Sequence, residues 1–362
     1  MEEGRKPARG LIIGKFLPPH LGHQYLVDFA RNCVERLTVL VCSLEREPIP
    51  GVKRWEWMRE MFPGVEVLHN PDENPQEPHE HPDFWRIWRD SIRRFCPDPD
   101  VVFASESYGW KLAETLGARF WPVNVSRGLV PVSGTKVRED PMAHWRYLPP
   151  AVRPWFVRRV CIVGPESAGK STLGRRLAEQ FGTVFVHEYA RDLLEAKPDQ
   201  CSPLDIEMIA HGQIASEEAL ARQANRLLIC DTDTLTTVLW SEILFGRCPP
   251  WIRELAGARC HDLYLLLDCD VPWVGDPQRY QPALEERRAF FGRMKAELEA
   301  RGRRYVVIRG SWEERFSVAA TAVEDLLMGL PVPVVEERSI GYNSGRNGTA
   351  ERLPGPERER TI

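Results

Sequence analysis

The stretch "RRVCIVGPESAGKSTLGRRLAEQF", Arg158–Phe181, runs from an apolar strand-like segment through a glycine-rich turn into a helix-forming one. Inside it, Gly164–Ser171 fits G-x-x-x-x-G-K-[ST] in full, in the strand–loop–helix setting which that pattern requires. The spacing has a chemical reason. Glycines allow a backbone to wrap closely around phosphates with its N–H groups pointing inward, so Gly164, Glu166, Ser167, Ala168 and Gly169 predict a cradle. Lys170 reaches the β- and γ-oxygens as a point charge, and the Ser171 hydroxyl takes a place on Mg²⁺. The bare pattern occurs by chance, but in this context it predicts a bound nucleoside triphosphate.

Downstream, the apolar runs "TVFVHEY", "RLLICDTD", "DLYLLLDCD" and "RYVVIRG" alternate with helical stretches, which argues for a parallel sheet covered on both faces. "LLICDTD" supplies Asp231 and Asp233 at a strand end, where one or both can contact Mg²⁺, directly or through water, or contact substrate; an ordinary acidic turn is the plain alternative. Glu188, in "VFVHEYAR", ends the second strand of this half; it can bind a ribose hydroxyl or take its proton, or be merely solvated. Arg191 suits a ribose or phosphate, or pairs with a neighbouring acid. In "DCDVPWVGDPQRYQPALEERR", Arg279 is favoured to neutralise charge on the phosphates, since Arg287 and Arg288 also read as a solvated helix face.

Upstream, "LPPAVRPWF" breaks the pattern with three prolines and sets the expected boundary between a first domain, residues 1–150, and a second, 151–335. From Glu336 the polar, Gly/Pro-rich tail to residue 362 is expected to be disordered. The first domain alternates in the same manner, through "RGLIIG", "LTVLVCSL", "VEVLHN", "VVFASES" and "RFWPVNV". Its first strand runs into "GKFLPPHLGHQYL", which sets His20 and His23 around a glycine at a helix start, with Gly14, Lys15 and Phe16 just before. A helix start offers free N–H groups and the positive end of a dipole, so the two histidines and Lys15 suit a triphosphate and a departing pyrophosphate. "PVSGTKVRED" adds Ser133 and Thr135 at a second helix start, with Arg138 one turn in, as a second phosphate cradle. Ligands in such sheets bind beyond the C-terminal strand ends, where Ser105 and Tyr108 also fall.

At 362 residues, two domains are the natural expectation, and 43% hydrophobic with 28% charged residues is globular in type. A net charge of −4 gives no basic footprint, so nucleic acid is not expected as a ligand. Nine scattered cysteines without metal-type spacing read as buried thiols in a reducing compartment. "MEEGRKPA" is not a signal peptide and no apolar run is long enough for a membrane span, which together predict a cytoplasmic protein. His79–His81, "HEH", lies in a Pro/Glu-rich loop without a third ligand and reads as exposed. Trp85 and Trp88 share a helix face and are expected to pack in the core, with a nicotinamide pocket as the lesser alternative.

"GKFLPPHLGH" and "VSGTKVR" resemble the H-x-G-H and I-S-x-T-x-x-R signatures of the nucleotidyltransferase superfamily. Together with "GPESAGKS", "HEYAR" and "DTD" in one chain, they resemble the NadR family over about residues 10–330. The resemblance implies an α/β chain, with a Rossmann-like nucleotidyltransferase domain followed by a P-loop kinase domain. It implies two ATP-dependent, Mg²⁺-requiring reactions: nicotinamide riboside to its mononucleotide, and mononucleotide to NAD. It further implies that His20, His23, Lys15 and Arg138 act on ATP phosphates, with Ser133 and Thr135 beside them and Ser105 and Tyr108 on the adenosine side. In the kinase half it implies that Gly164–Thr172 hold ATP and Mg²⁺, that Glu188 and Asp231 serve acceptor or metal, and that Trp273 stacks on nicotinamide. Enteric family members begin with a helix-turn-helix repressor module; only about ten residues precede the first strand here, so no repressor role is expected. Small-molecule substrates are the expected partners, and a homo-oligomer stays open. Two rivals remain: a fusion of phosphopantetheine adenylyltransferase with dephospho-coenzyme A kinase, and a nucleotide-sensing regulator with one inactive half.

Overall fold

The computed structural model describes residues 7–197, 200–275 and 279–330; the tail expected to be disordered lies outside them. The chain forms two parallel sheets, one after the other. The first contains β1 (Arg9–Gly14), β2 (Arg36–Cys42), β3 (Glu66–Asn70), β4 (Val101–Ala104) and β5 (Arg119–Pro122), in the order β3-β2-β1-β4-β5. The second contains β6 (Arg158–Val163), β7 (Val184–Val186), β8 (Leu227–Asp231), β9 (Leu263–Leu267) and β10 (Tyr305–Ile308), in the order β10-β9-β6-β8-β7. The central strands are buried on both faces, which is why "LTVLVC", "LLICD" and "LYLLL" read as unbroken apolar runs. In each sheet the first strand sits in the middle and the connections depart to opposite sides of it. A crevice therefore opens beyond the C-terminal ends of β1 and β6.

Local chemistry moves two expected boundaries. β7 is an edge strand that pairs only with β8 and stops at Val186, opposite Cys230. His187 then leaves the sheet, and Glu188 becomes the N-cap residue of α8 (Tyr189–Glu195) instead of a strand end. After β8, Thr232 takes a positive φ of 65° and turns the chain, so that Asp233 caps α10 (Thr234–Phe245) by accepting from the Thr236 N–H.

The proline-rich segment expected to mark the domain boundary is packed. Leu148, Ala151, Val152 and Val157 are buried in a cluster with Leu17, Trp57 and Val137 of the first half and Val186, Ala221 and Leu228 of the second. The Trp145 indole also donates to the Ala224 carbonyl at 3.2 Å. Apolar surface on the two halves is thereby removed from water in one piece, which holds the sheets in fixed relation. All nine cysteines are free thiols, and most are buried. Among the described residues no helix is long and apolar enough to cross a membrane.

The helix α2 (Gly51–Met61) carries Arg54, which has no exposed surface at all. Its guanidinium donates to the carbonyls of Lys15, Cys42 and Ile49 and to the Glu47 carboxylate. This one side chain therefore ties the turn after β1 to the end of β2. Replacing it with methionine roughly keeps the volume but takes the buried donor from three carbonyls and leaves Glu47 with only Lys15 and the Leu44 N–H. The expected cost is about 3–5 kcal/mol, read as a lower denaturant midpoint at unchanged slope.

Candidate functional site

Two cavities lie at the two crevices. The first begins where β1 ends. His20 is the N-cap of α1 (Leu21–Cys33), and its Nδ1 accepts from the Gly22 N–H at 3.1 Å. His23, one turn into the helix, uses Nδ1 to accept from the His20 N–H at 3.2 Å. The rings stack with centroids 3.7 Å apart. A Cβ at position 22 would lie 2.9 Å from the His20 ring, so only glycine fits between the histidines. With Nδ1 occupied as an acceptor, each neutral ring carries its proton on Nε2. Both rings line the cavity, and each is a donor there.

Electrostatics keeps them neutral. Burial, helped by the Arg127 guanidinium, lowers His20 to about 4. Burial again leads for His23, which is held well below the usual imidazole range, with His20 and Arg127 adding to the effect. Gly14, Lys15, Phe16, Ser105, Tyr108, Ser133, Thr135 and Arg138 line the same cavity, so the residues assembled from three separate stretches of sequence do meet. Ser133 caps α5 (Gly134–Glu139) by accepting from the Lys136 N–H at 3.3 Å, and Arg138 donates to Thr135 Oγ1 at 3.2 Å and to the Leu17 carbonyl. The Lys15 ammonium is not loose: it rests 3.0 Å from Glu47 Oε1, a partner given no role in the sequence reading. Trp85 and Trp88 also line this cavity instead of being wholly core, with the loop residues Glu77 and Pro78 beside them. The "HEH" residues are exposed, and His81 Nδ1 is taken by the Asp83 N–H.

The second cavity is built on the turn between β6 and α7 (Lys170–Gln180). Gly164 and Gly169 take φ of 145° and 87°, the second as the N-cap of α7, as a backbone wrapping inward requires. Glu166, Ser167, Ala168, Gly169, Lys170, Ser171 and Thr172 line the cavity, and Lys170 Nζ sits 3.2 and 3.0 Å from the carbonyls of Gly164 and Pro165. Ser171 Oγ donates to Asp231 Oδ2 at 2.5 Å. The other Asp231 oxygen is buried without a hydrogen-bond partner, as a carboxylate set to receive a cation or its water would be.

Glu188 and Arg191 line this cavity as well. Burial lifts Glu188 to about 7, against the pull of Lys170 and with a further push from Asp231. Asp231 is raised too, chiefly by burial, with Lys170 and Ser171 opposing. The loop before α12 (Leu284–Ala300) is tied down by Glu166, which accepts from the N–H groups of Tyr280 and Gln281 at 2.8 and 2.9 Å. Arg279 donates to Ser167 Oγ at 3.4 Å and faces the cavity.

Two expected residues stand elsewhere. Asp233 turns away from the cavity: its carboxylate caps α10 and accepts from Tyr264 Oη at 2.9 Å in a buried polar group. The alternation of side chains along "DTD", broken by the turn at Thr232, sends the two aspartates apart. Trp273 does not line the cavity either; the guanidinium groups of Arg279 and Arg287 lie 5.6 and 5.2 Å from its ring. The aromatic residues that do line it are Trp240 and Tyr280, with centroids 6.3 Å apart. Trp240 lies on α10 one residue outside its buried run, a helical pattern that hides a cavity-facing residue among core ones. The sequence reading also missed Arg315 on α13 (Trp312–Leu327), 1% exposed, which donates to the Ala168 and Asp268 carbonyls behind the phosphate loop.

A model of the AAA domain matches residues 159–315. The trifunctional NAD biosynthesis/regulator protein NadR of Escherichia coli is 29% identical over 347 residues, covering 89% of this chain and 84% of the relative. Its Salmonella typhimurium counterpart is 29% identical over 343 residues, covering 88% and 83%. A crystal structure of a NadR protein in complex with NR superposes with a TM-score of 0.73 at 21% identity, covering 91% of this chain and 98% of that one. A further crystal structure, in complex with NAD and AMP-PNP, gives 0.70 at 21% identity, over 91% and 99%.

Fold and cavities together define a two-domain nucleotide-binding protein, in which a Rossmann-like sheet with an H-x-G-H turn precedes a P-loop sheet. Over nearly nine-tenths of its length the chain is similar in sequence to NadR proteins.

The histidine geometry has a direct spectroscopic consequence. In the free protein the imidazole Cε1–H resonances of His20 and His23 are expected to stay at their neutral positions from pH 8 down to about 5.5, where an ordinary histidine is already mostly protonated. A titration of either resonance centred near 6.5 would contradict the buried, Nε2-protonated pair.

Proposed function

We propose that the chain carries out two successive ATP-dependent steps of NAD salvage. The P-loop domain, residues 151–335, phosphorylates the 5′-hydroxyl of nicotinamide riboside. The first domain, residues 1–150, transfers an adenylyl group from a second ATP to the mononucleotide, giving NAD and pyrophosphate. The observation that carries this reading is the presence, in one chain, of two complete sets of phosphate-binding groups in two separate cavities. A single-reaction enzyme has no use for the second set.

In the kinase cavity, Lys170 and Arg279 neutralise charge on the transferred phosphoryl group, while the inward N–H groups of the loop hold the rest of the triphosphate. Glu188 accepts the proton of the 5′-hydroxyl as that oxygen attacks the γ-phosphorus and the bond to the β-phosphate oxygen breaks. Arg191 stands close enough to Glu188 to lower its pKa and would anchor the ribose side. Ser171 and Asp231 would hold Mg²⁺, and the orphaned Asp231 oxygen fits that role. When bound, the ion would offset charge on the β- and γ-phosphates. The aromatic pair Trp240 and Tyr280 takes the place expected of Trp273, because an aromatic face attracts a pyridinium cation. That preference also favours a nicotinamide substrate over the uncharged adenine of dephospho-coenzyme A.

In the first cavity no covalent nucleophile is needed. A phosphate oxygen of the mononucleotide attacks the α-phosphorus of ATP, and the bond to the departing pyrophosphate breaks in line. His20 and His23 present Nε2–H donors, with Lys15 and Arg138 supplying charge as pyrophosphate leaves. Gly14, Phe16, Ser133 and Thr135 shape the phosphate end, and Ser105 and Tyr108 face the adenosine side.

Separate cavities predict separable losses. Lys170→Ala is expected to lower riboside phosphorylation by about 10³-fold or more while leaving adenylylation of supplied mononucleotide intact, and His23→Ala the reverse. Chromatography of ADP, pyrophosphate, mononucleotide and NAD from one incubation reads both. Loss of both activities from either folded variant would contradict the two-site reading.

The Glu188 environment sets a pH dependence. A carboxyl raised to about 7 is protonated below that pH and cannot take a proton, so phosphorylation is expected to rise through pH 7. Glu188→Gln removes the acid limb and most of the turnover. An unchanged turnover number in that variant would take Glu188 out of the chemistry.

A further inference from the structure

One buried amide connects the two carboxylates of the kinase cavity. Gln213 lies on α9 (Pro203–Ala221) and is 1% exposed. Its Oε1 accepts from the Tyr189 N–H at 3.0 Å, the first free donor of α8 and the residue next to Glu188. Its Nε2 donates to the carbonyls of Asp231 and Thr232 at 3.3 and 3.4 Å, where β8 ends in its positive-φ turn. Three backbone groups on two elements are thus satisfied by a side chain on a third. The preceding residue supports the same junction: a Cβ at Gly212 would come within 2.2 Å of the Tyr189 ring, so α9 packs directly on the start of α8.

We propose that Gln213 is a positioning residue for phosphoryl transfer: by clasping the backbone at Tyr189 and at Asp231–Thr232, it sets Glu188 and Asp231 at their working separation. The proposal rests on the kinase reading of this cavity. Its physical basis is the directionality of the amide. Only a group with one acceptor and two donors satisfies an N–H on one side and two carbonyls on the other. A carboxylate there would face two carbonyl oxygens, and an apolar side chain would orphan all three groups. Glu188 and Asp231 lie on elements that do not hydrogen-bond to each other at this point, since β7 ends at Val186. Placement of this kind is worth more in rate than in affinity, because a displacement of about 1 Å can cost about 10²-fold in turnover.

The charged groups acting on Glu188 are Lys170 from α7, Asp231 from β8, Arg191 from α8 and Glu166 from the phosphate loop. Moving Glu188 relative to Asp231 therefore alters the acid limb of the pH profile, which loss of global stability alone does not.

The test compares Q213M with Q213E in the full chain, using adenylyl transfer by the first domain and ATP binding as monitors of folding. In Q213M the turnover number for riboside phosphorylation is expected to fall by about 10²-fold with KM for ATP nearly unchanged. Its acid limb should move to lower pH, as Glu188 is released from the Asp231 charge and from part of its burial. In Q213E the added negative charge should move the limb to higher pH. Opposite displacements of the limb with a drop in turnover support the proposal. A lower melting temperature with wild-type turnover and wild-type limb in both variants overturns it, as does failure of both to fold, which would make Gln213 a residue of the fold alone. Absence of riboside phosphorylation by the wild-type chain would sink the kinase reading itself, before any variant is compared.

Discussion

A loop that turns its N–H groups inward to surround phosphates must turn carbonyl groups outward, toward the body of the protein, where water does not reach. Such carbonyls need donors, and in both halves of this chain a buried arginine donates to one of them and to carbonyls of neighbouring segments. Arg54 reaches the Lys15, Cys42 and Ile49 carbonyls behind the first cavity. Arg315 reaches the Ala168, Asp268 and Gly310 carbonyls behind the second, and its charge meets Asp270. The guanidinium suits the task because it offers five donors in a fixed plane and stays charged at any working pH. Burying such a charge is costly unless each donor finds a partner, so the arginine and its loop specify each other. The phosphate cradles depend on side chains that no phosphate touches.

The same low-dielectric surroundings act oppositely on the groups that face the cavities. In the first, burial removes the charge from both histidines, so the donors met by a triphosphate are neutral N–H groups, with Lys15, Arg127 and Arg138 carrying the positive charge nearby. In the second, burial raises both Glu188 and Asp231, and Lys170 opposes it for each. Two carboxylates near one lysine titrate as a unit, and the bound substrates decide how their protons are shared. Neutral donors beside fixed positive charge in the first case, and carboxyls raised by burial beside a lysine in the second, match what each must handle. Adenylyl transfer has to accommodate a departing pyrophosphate, whereas phosphoryl transfer to a hydroxyl has a proton to remove.

Much of this was legible in the sequence, for definite reasons. Parallel strands buried on both faces are continuous apolar runs, and the turns that follow them carry glycines and histidines whose spacing is set by backbone geometry. The two parallel sheets, the phosphate loop and the meeting of "HLGH" with "SGTKVR" follow from those local signals, whereas the order of the strands does not. What sequence spacing does not encode is direction. Asp231 and Asp233 are two apart and would share a face in a strand, but the positive φ at Thr232 sends one to the cavity and the other to Tyr264. Trp273 and Trp240 are equally aromatic in the sequence, and only tertiary packing shows that arginines cover Trp273 while Trp240 faces the cavity. Arg54, Arg315 and Gln213 gave no signal, because a long polar residue in an amphipathic helix reads as solvated until its neighbours are known.

The junction between the halves follows from the same limits. A segment with three prolines marked the expected domain boundary, and its apolar residues lie in a cluster that includes Leu17 and Val137 beside the first cavity and Val186 and Cys230 just before Glu188 and Asp231. Proline fixes the backbone direction without preventing burial of its neighbours, so a proline-rich stretch can be a rigid strut as readily as a linker. Leu17 sits in the loop that accepts from Arg138, and Cys230 directly precedes the aspartate bonded to Ser171. Close-packed interiors resist continuous deformation. The loops that cradle phosphate in one half are therefore anchored in the same apolar body as the strand ends that carry the carboxylates in the other. Chemistry is divided between two cavities, but the scaffold that positions them is shared.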